Sequence, residues 1–218
     1  MVKRQPHDVD GTNLDFFRSV EHGNRTAEKL EIADASIEFY PEFFSRSQSD
    51  AYFKYLLATA NWKQEQIKWY GKQVDLPRLT AWYGNKGKSY TYSGIHVQAE
   101  PWLPELLEIK QQIEAVSDVE FNSVLLNLYR NERDSVAWHS DDEPELGSNP
   151  TIGSVSFGEA RTFQFRHKKN DSLRAKLTLS HGSYLLMKGP TQHCWQHQIP
   201  KASRLCGPRI NLTFRSIA

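Results

Sequence analysis

Six short runs between residues 121 and 218 decide the fold: SVLLNLYR (123–130), TIGSVSF (151–157), RTFQFRH (161–167), AKLTLS (175–180), SYLLMKG (183–189) and RINLTFR (209–215). Their apolar residues recur with a period of two or form short apolar stretches, which is typical of β-strands. Turn-forming residues separate the runs at Gly158, Asn170-Asp171, His181-Gly182 and Gly189-Pro190. The pattern predicts an α+β, mainly β domain in which antiparallel strands form a jelly roll or barrel backed by helices.

A strand and two helices are predicted before these runs. IEFYPEFF (37–44) predicts a first strand that ends at Pro41, and Ser47 or Ser49 is expected to cap the helix that follows. A second helix is predicted after Pro101 and Pro104. Apolar residues follow helical spacing in both: Phe53, Leu56, Leu57 and Ala60 in the first, and Leu106, Ile109, Ile113 and Val116 in the second.

Length and composition predict one domain with a polar extension. A chain of 218 residues is large enough to bury one core. Residues 1–35 are polar and interrupted by Pro6, Gly11 and Gly23, so we predict a flexible N-terminal arm followed by a single domain over 36–218.

Charge and cysteine content exclude several classes of protein. With 27 basic and 26 acidic residues, the chain lacks the basic excess of a non-specific nucleic-acid binder. Its two cysteines, Cys194 and Cys206, are too few for a disulfide framework or a structural zinc site. Because no signal peptide or membrane-spanning run is present, we expect a protein of a bacterial cytoplasm or of a nucleus.

One polar cluster predicts a metal site. His139 and Asp141 are two residues apart, so on an extended segment both side chains point to the same side. A His-x-Asp pair alone also occurs in ordinary exposed loops, and a metal would need a third ligand. TQHCWQHQIP (191–200) offers His193 or His197. Two histidines and one carboxylate that leave positions open for substrate and oxygen suit a non-haem iron(II) oxygenase.

The last strand predicts a pocket for an acid. In GPRINLTFR (207–215), one side carries only polar groups and the other side only apolar ones. The polar side could simply face water, but it holds no acidic residue, and a planar guanidinium matches a carboxylate in a bidentate way. Asn127 and Tyr129 alternate with leucines in the same manner. Together these side chains predict a pocket for a small dicarboxylate: Asn127, Tyr129, Arg209, Asn211, Thr213 and Arg215.

Several motifs in order resemble the AlkB family of alkylation-repair dioxygenases, which depend on Fe(II) and 2-oxoglutarate. They are NLYRN (127–131), HSDDE (139–143), SVSFGEARTFQFRHK (154–168), WQHQIP (195–200) and PRINLTFR (208–215). The resemblance runs over roughly residues 65–218 and is strongest to the second and third vertebrate homologues. It implies a double-stranded β-helix core over 121–218, with a nucleotide-recognition extension at about residues 65–95.

The resemblance also implies cofactors and their ligands. Iron(II) would be held by His139, Asp141 and His197, which leaves His193 outside the metal site. Arg209 would bind the distal carboxylate of 2-oxoglutarate, and Arg215 would lie near the end that chelates iron. Asn127, Tyr129, Asn211 and Thr213 would support the co-substrate, and O2 would complete the reactants.

By the same resemblance, the reaction is the oxidative demethylation of N1-methyladenine and N3-methylcytosine in DNA, with release of formaldehyde. A base must leave the stack to be oxidised, so a pocket for a flipped base is expected. The implied substrate-binding residues are Trp69, Tyr70, Gly71, Arg78, Tyr90, Tyr92, Ser93, Asp142 and Glu143. Tyr92 would stack on the base, and Tyr70 would fill the gap that the base leaves in the duplex.

Several of these predicted contacts also have a plainer interpretation. Asp142 and Glu143 also fit a solvated acidic loop, and Trp69 and Tyr70 also fit a core position. Cations that could bind phosphates could equally form a solvated face: Arg78, Arg161, Arg166, Lys168 and Lys169.

Other functions remain open at the level of sequence. The same iron centre could serve an RNA demethylase or a protein hydroxylase, and a non-enzymatic alternative is a module that only binds damaged bases. Retention of all the predicted ligands and arginines favours an enzyme. The expected partner is alkylated DNA, possibly RNA, with no membrane association and a monomeric state.

Overall fold

The computed structural model describes residues 23–69, 71–87, 89–92 and 95–218. The helices are α1 (Arg46–Thr59), α2 (Pro104–Ser117) and the short α3 (Thr191–Cys194), with a 3₁₀ turn at Pro144–Leu146. The strands are β1 (Glu28–Lys29), β2 (Ser36–Tyr40), β3 (Gln66–Trp69), β4 (Lys72–Asp75), β5 (Leu79–Gly84), β6 (Ser89–Tyr92), β7 (Ile95–Gln98), β8 (Ser123–Tyr129), β9 (Val136–His139), β10 (Ile152–Gly158), β11 (Arg161–His167), β12 (Arg174–Leu179), β13 (Ser183–Lys188), β14 (Trp195–Ile199) and β15 (Arg209–Arg215).

Two antiparallel sheets pack face to face. In the part of the chain that the structure describes, the larger sheet has the order β1-β2-β13-β10-β15-β8-β5 and the smaller sheet has the order β12-β11-β14-β9. Apolar residues of both sheets form one buried cluster between them, which includes Leu125 and Met187 from the larger sheet and Phe165 and Trp195 from the smaller. This two-sheet architecture confirms the predicted antiparallel jelly-roll type of fold.

The central strands of the larger sheet, β13, β10, β15 and β8, are buried on both sides, and their alternation places polar groups inside the molecule. Leu126 and Leu128 of β8 pack on the side that the helices cover, together with Leu106 and Ile109 of α2. Successive residues of a strand point to opposite faces, so Asn127 points to the space between the sheets. None of the helices that the structure describes is both long enough and apolar enough to cross a membrane.

Helix α1 begins earlier than predicted. Its cap is Ser45, not Ser47 or Ser49. The Ser45 hydroxyl accepts a hydrogen bond from Gln48 N at 3.3 Å, and the Gln48 side chain accepts one from Ser45 N at 3.1 Å. This reciprocal capping box satisfies two backbone N–H groups that the first turn leaves free, which decides between three nearby serines.

Part of the predicted N-terminal arm contacts the domain. Residues 1–22 lie outside the described residues, but β1 pairs with β2, and Trp195 Nε1 donates a hydrogen bond to Ala33 O at 2.8 Å. Residues 28–35 therefore pack along the domain, while the boundary at residue 35 remains a prediction.

Two hairpins occupy the segment that was predicted to recognise nucleotides. Strands β3 and β4 pair with Trp69 opposite Lys72, and β6 pairs with β7. The residues of β4 are exposed, and Val74 exposes 44% of its surface. The first hairpin therefore presents a strand to solvent beside the jelly roll.

His181 is expected to lower the free energy of unfolding in mild acid. Its Nδ1 accepts a hydrogen bond from Gly158 N at 2.8 Å, and its Nε2 lies 3.1 Å from Asp50 Oδ1. Burial lowers the pKa of His181 below 6.5, although Asp50 opposes the shift. Since the folded pKa lies below the unfolded one, the stability that this group contributes is present above about pH 6.5 and is lost as the pH falls.

The measurement is the free energy of unfolding by urea at about pH 7 and pH 5. The His181→Asn variant keeps an acceptor for Gly158 N but cannot take up the proton, so it should lose less stability than the wild type over this interval. Equal losses in the two proteins would show that His181 does not contribute to the acid sensitivity.

Candidate metal and co-substrate site

Three side chains converge between the two sheets, at the β9 edge of the smaller sheet. His139 on β9 and His197 on β14 are directly paired across neighbouring strands, and their ring centroids are 4.3 Å apart. Asp141 follows β9 by two residues, and its carboxylate comes within 3.6 Å of His197 Nε2. One ligand atom from each of the three residues lies within 4.8 Å of the others. Two imidazoles and a carboxylate at this separation form a donor set that suits a divalent iron ion.

The tautomer of His139 favours metal binding. Its Nδ1 lies 2.8 Å from the carbonyl oxygen of Ala137, which can only accept a hydrogen bond. The proton is therefore on Nδ1, and Nε2 keeps its lone pair for a metal.

Asp141 is held as a charged carboxylate. It is almost fully buried, and its Oδ1 accepts a hydrogen bond from Arg215 Nη2 at 2.5 Å. Burial alone would raise the pKa of Asp141, but the charge and hydrogen bond of Arg215, together with the two neighbouring histidines, hold the pKa below its usual range. The backbone N–H of Asp141 donates a hydrogen bond to Gln192 Oε1 at 3.0 Å. Gln192, a fully buried residue of α3, therefore orients Asp141.

His197 is held neutral by its surroundings. Burial lowers its pKa to about 3, and the nearby His139 adds to the effect. The ring of Phe163 stacks on the imidazole at 5.0 Å with an interplanar angle of 29°. A neutral imidazole beside an ionised carboxylate is the protonation state that a metal requires.

His193, the alternative third ligand, lies elsewhere. It is exposed on α3, and its Nε2 contacts the carbonyl oxygen of Ser148. In the described part of the chain, the group of possible metal ligands contains His197 and not His193.

A cavity next to the three ligands is lined by the residues that were predicted for the acid. Arg209, on β15, is 1% exposed, and its Nη2 donates to Ser156 Oγ at 2.9 Å. Its Nε and Nη1 are buried, and neither finds a hydrogen-bond partner among the residues that the structure describes. Burial lowers the pKa of Arg209 to about 10, which leaves it charged at neutral pH. A buried charge with unmet donors fits a carboxylate ligand.

The remaining predicted co-substrate residues line the same cavity: Asn127, Tyr129, Asn211, Thr213 and Arg215. The Arg209 guanidinium lies over the Tyr129 ring, 5.2 Å from its centroid. Asn211 Nδ2 donates to Ser154 Oγ at 2.8 Å, and Asn211 Oδ1 accepts from the Thr213 hydroxyl at 3.1 Å. The polar face of β15 therefore points into the molecule and not into water.

Three residues that support this site were not predicted from the sequence. Gln192 orients Asp141, Phe163 packs on His197, and Ser156 bonds to Arg209. Ser154 and Ser156 alternate with Val155 on β10, so the period of two could have placed both on the cavity side. No local pattern distinguishes Gln192 from the other glutamines of its segment.

Six of the nine predicted substrate-binding residues fall in the segments of the two hairpins, and two of these six lie outside the described residues. Trp69 ends β3, Gly71 adopts φ of 80°, and Tyr70 between them lies outside the described residues. Tyr90 and Tyr92 belong to β6, where they are two apart along the strand, whereas Ser93 lies outside the described residues.

The two acidic residues after Asp141 differ in exposure. Asp142 is exposed and forms an ion pair with Lys168 at 2.8 Å. Glu143 is half-buried immediately before the 3₁₀ turn. The solvated-loop interpretation therefore suits Asp142 better than Glu143.

Two of the five predicted phosphate contacts are buried. Arg78 is 3% exposed and Arg161 is 4% exposed. Arg161 donates to the carbonyl oxygens of Asp134 and Pro200 at 2.9 and 2.6 Å. Such burial argues against a contact between either guanidinium and a phosphate backbone.

The other three cations are accessible. Arg166 lies 4.5 Å above the Trp138 ring, while Lys168 and Lys169 are exposed. They remain predictions as phosphate contacts.

Comparison with known proteins places this geometry in a family context. Residues 36–215 match the family model described as the 2OG-Fe(II) oxygenase superfamily. The chain is 45% identical over 191 residues to "Alpha-ketoglutarate-dependent dioxygenase alkB homolog 3" of Homo sapiens, a match that covers 82% of this chain and 65% of that protein. It is 38% identical over 188 residues to "DNA oxidative demethylase ALKBH2" of Homo sapiens, which covers 82% of this chain and 72% of that protein.

The chain therefore spans slightly less than two thirds of the homolog 3 relatives that it matches, 64% of the Bos taurus protein and 65% of the human one. A solved structure described as "The structure of OsALKBH1" superposes with a TM-score of 0.60 at 16% identity, covering 88% of this chain and all of that one. Together with the family match, this superposition confirms the expected double-stranded β-helix fold.

Proposed function

Because the chain belongs to the 2OG-Fe(II) oxygenase superfamily and, within it, to the AlkB homologues, we propose that it demethylates N-alkylated bases in nucleic acid. The family predicted from the motifs is confirmed, and so are its cofactors Fe(II), 2-oxoglutarate and O2. The observation that carries the proposal is the cavity in which the His139, Asp141 and His197 group adjoins a buried, incompletely bonded Arg209.

The proposed roles follow from the contacts. His139, Asp141 and His197 hold the metal, Arg209 binds the distal carboxylate of 2-oxoglutarate, and Arg215 keeps Asp141 ionised. When bound, iron(II) and 2-oxoglutarate supply the oxidising chemistry: O2 and the keto acid give succinate and CO2, and the N-methyl carbon gains a hydroxyl group. The resulting hemiaminal loses formaldehyde and leaves the unmodified base.

DNA containing N1-methyladenine or N3-methylcytosine is the proposed substrate. Support comes from the match to a protein named DNA oxidative demethylase and from the hairpins β3–β4 and β6–β7, which carry the predicted aromatic residues. Both methylated bases are cationic, so Glu143, half-buried two residues after Asp141, is proposed as an acidic neighbour of the base.

The test is a balanced product assay. Purified protein with Fe(II), 2-oxoglutarate and a single-stranded DNA that contains N1-methyladenine should release formaldehyde and succinate in equal amounts. The same assay on duplex DNA, methylated RNA and unmodified DNA decides the polymer. Preference for methylated RNA would replace the DNA proposal by the RNA alternative. Succinate without formaldehyde on every nucleic acid would favour a protein hydroxylase, and binding of methylated DNA with neither product would favour a non-enzymatic module.

Tyr70→Ala is expected to lower activity on duplex DNA more than on single strands. By its resemblance to a duplex-probing finger, Tyr70 would fill the gap left by a flipped base, and only a duplex has an opposite strand to hold open. The measurement is the ratio of kcat/KM values on methylated duplex and single-stranded DNA of the same sequence. Val74→Ala, a change on the exposed strand of the same hairpin, serves as the control. Equal losses of kcat/KM on both substrates would show that Tyr70 does not fill the gap left by the flipped base.

A further inference from the structure

Arg78 lies at the junction between the β3–β4 hairpin and the wall of the co-substrate cavity. It directly precedes β5, and it is 3% exposed. Its Nε donates to Asn127 Oδ1 at 2.8 Å, in a hydrogen bond that is buried from solvent. Its Nη1 lies 3.4 Å from the carbonyl oxygen of Ser135, one residue before β9. The guanidinium therefore faces the interior of the domain.

The contact with Arg78 sets the polarity of the Asn127 amide. A guanidinium can only donate hydrogen bonds, so the oxygen of the amide must face Arg78 and its NH2 group must face away. Asn127 lines the same cavity as His139 and Arg209. An amide fixed in this way offers a donor, not an acceptor, to a ligand in the cavity, which suits a carboxylate or keto oxygen.

The chain around Arg78 connects this contact to the hairpin and to the metal strand. Leu76 N donates to Glu65 O at 2.8 Å and so closes the base of the β3–β4 hairpin. Pro77 O accepts a hydrogen bond from Ser135 N at 2.9 Å, and β9, which begins at the next residue, ends at His139. Residues 76–78 therefore join the hairpin base, the start of the metal-bearing strand and the cavity wall.

We propose that Arg78 is a positioning residue for the keto-acid co-substrate: it holds the Asn127 amide with its donor toward the cavity and ties the base of the β3–β4 hairpin to that cavity. This role rests on the proposed function, because it presumes that 2-oxoglutarate occupies the cavity. It replaces the phosphate contact that the sequence alone suggested for Arg78.

The test measures binding of 2-oxoglutarate to Mn(II)-loaded protein by titration calorimetry, so that no turnover is needed. Arg78→Met removes the donor while keeping an unbranched side chain, and the Kd should rise by about 10- to 100-fold, as expected for a lost hydrogen bond to a charged ligand. Arg78→Lys, whose ammonium also only donates, should keep the Kd within about threefold of the wild-type value. An unchanged Kd in the Arg78→Met variant would overturn the proposal.

A double-mutant cycle separates positioning from general structural damage. If Arg78 acts through Asn127, adding Arg78→Met to Asn127→Ala should change the Kd by less than about twofold. Asn127→Asp is a second variant that still accepts from Arg78 but has no donor to offer, so it should bind 2-oxoglutarate weakly while remaining folded. Additive losses in the cycle, or wild-type affinity in Asn127→Asp, would contradict the mechanism.

The matched control loosens the hairpin base without touching Asn127. Gln64 Nε2 donates to Leu76 O at 2.8 Å, and Gln64→Met removes that bond. This variant should bind 2-oxoglutarate as the wild type does, and a loss as large as that of Arg78→Met would assign the effect to the hairpin alone.

Two further outcomes are distinguishable. Weaker binding of a methylated oligonucleotide by Arg78→Met, with an unchanged Kd for 2-oxoglutarate, would restore the phosphate contact and overturn the positioning role. Failure of the wild-type protein itself to bind 2-oxoglutarate would instead refute the proposed function on which the role rests.

Discussion

Replacing His139 by alanine is expected to reduce the release of both formaldehyde and succinate to background. His139 supplies one of only two imidazoles in the ligand group of the described residues, and its Nε2 is directed to the metal by the bond between Nδ1 and Ala137 O. Without it, the site retains one imidazole and one carboxylate, too few donors to hold iron(II) in an oxygenase geometry. The loss should therefore appear both in metal binding and in product formation.

The experiment compares His139→Ala with His193→Ala. His193 is exposed, lies outside the ligand group and belongs to the segment 191–200 that also carries the ligand His197. Mn(II) affinity and both products are measured for each variant. We expect His193→Ala to match the wild type in all three quantities. Normal turnover by His139→Ala would falsify the metal assignment, and loss of metal binding in His193→Ala would return His193 to the ligand set.

Replacing Arg209 by methionine is expected to weaken 2-oxoglutarate binding by at least about 100-fold. Each hydrogen bond between charged groups in a buried site is worth about 1.5–3 kcal/mol, and a bidentate carboxylate would use two donors of Arg209. The guanidinium already has Nε and Nη1 buried with no partner among the described residues, so the free energy gained on binding is large.

A ligand comparison identifies which end of the acid Arg209 recognises. 2-Oxopentanoate has the same chain length as 2-oxoglutarate but lacks the distal carboxylate. The wild type should prefer 2-oxoglutarate by at least about 100-fold, whereas Arg209→Met should bind both acids with similar affinity. Arg204→Met, at an exposed position in the preceding loop, should leave the preference intact. If Arg209→Met still discriminated strongly, another group would have to bind the distal carboxylate.

Alternation within strands made much of the site predictable. In β15 every second residue from Arg209 to Arg215 is polar, Asn127 and Tyr129 follow the same period in β8, and the structure places all six side chains around one cavity. The prediction succeeds because a period of two fixes side-chain direction whatever the neighbours are. The two-residue spacing of His139 and Asp141 likewise predicted that both side chains point to the same side.

Predictions failed where a side chain had several possible environments. Arg78 was predicted to contact phosphate or to form part of a solvated face, yet its contacts with Asn127 and Ser135 bury it. The helix cap was misplaced because three serines lie within five residues, and only the backbone geometry selects Ser45. Neither the burial of Arg78 nor the selection of Ser45 as the cap can be predicted from the local composition.

The fold class, the alternation that turns Asn127 and Arg209 inward, and the His-x-Asp pair could all be predicted from the sequence. These features depend on residues close in the chain, whose relative directions follow from strand geometry. The spacing of the residues left both His193 and His197 open as the third ligand, and the family resemblance implied His197. The tertiary structure shows His197 paired with His139, a contact that depends on the register between β9 and β14, which lie far apart in sequence. It also decided that Arg215 bonds to Asp141 and that Arg78 orients Asn127, since both contacts arise from the packing of distant segments.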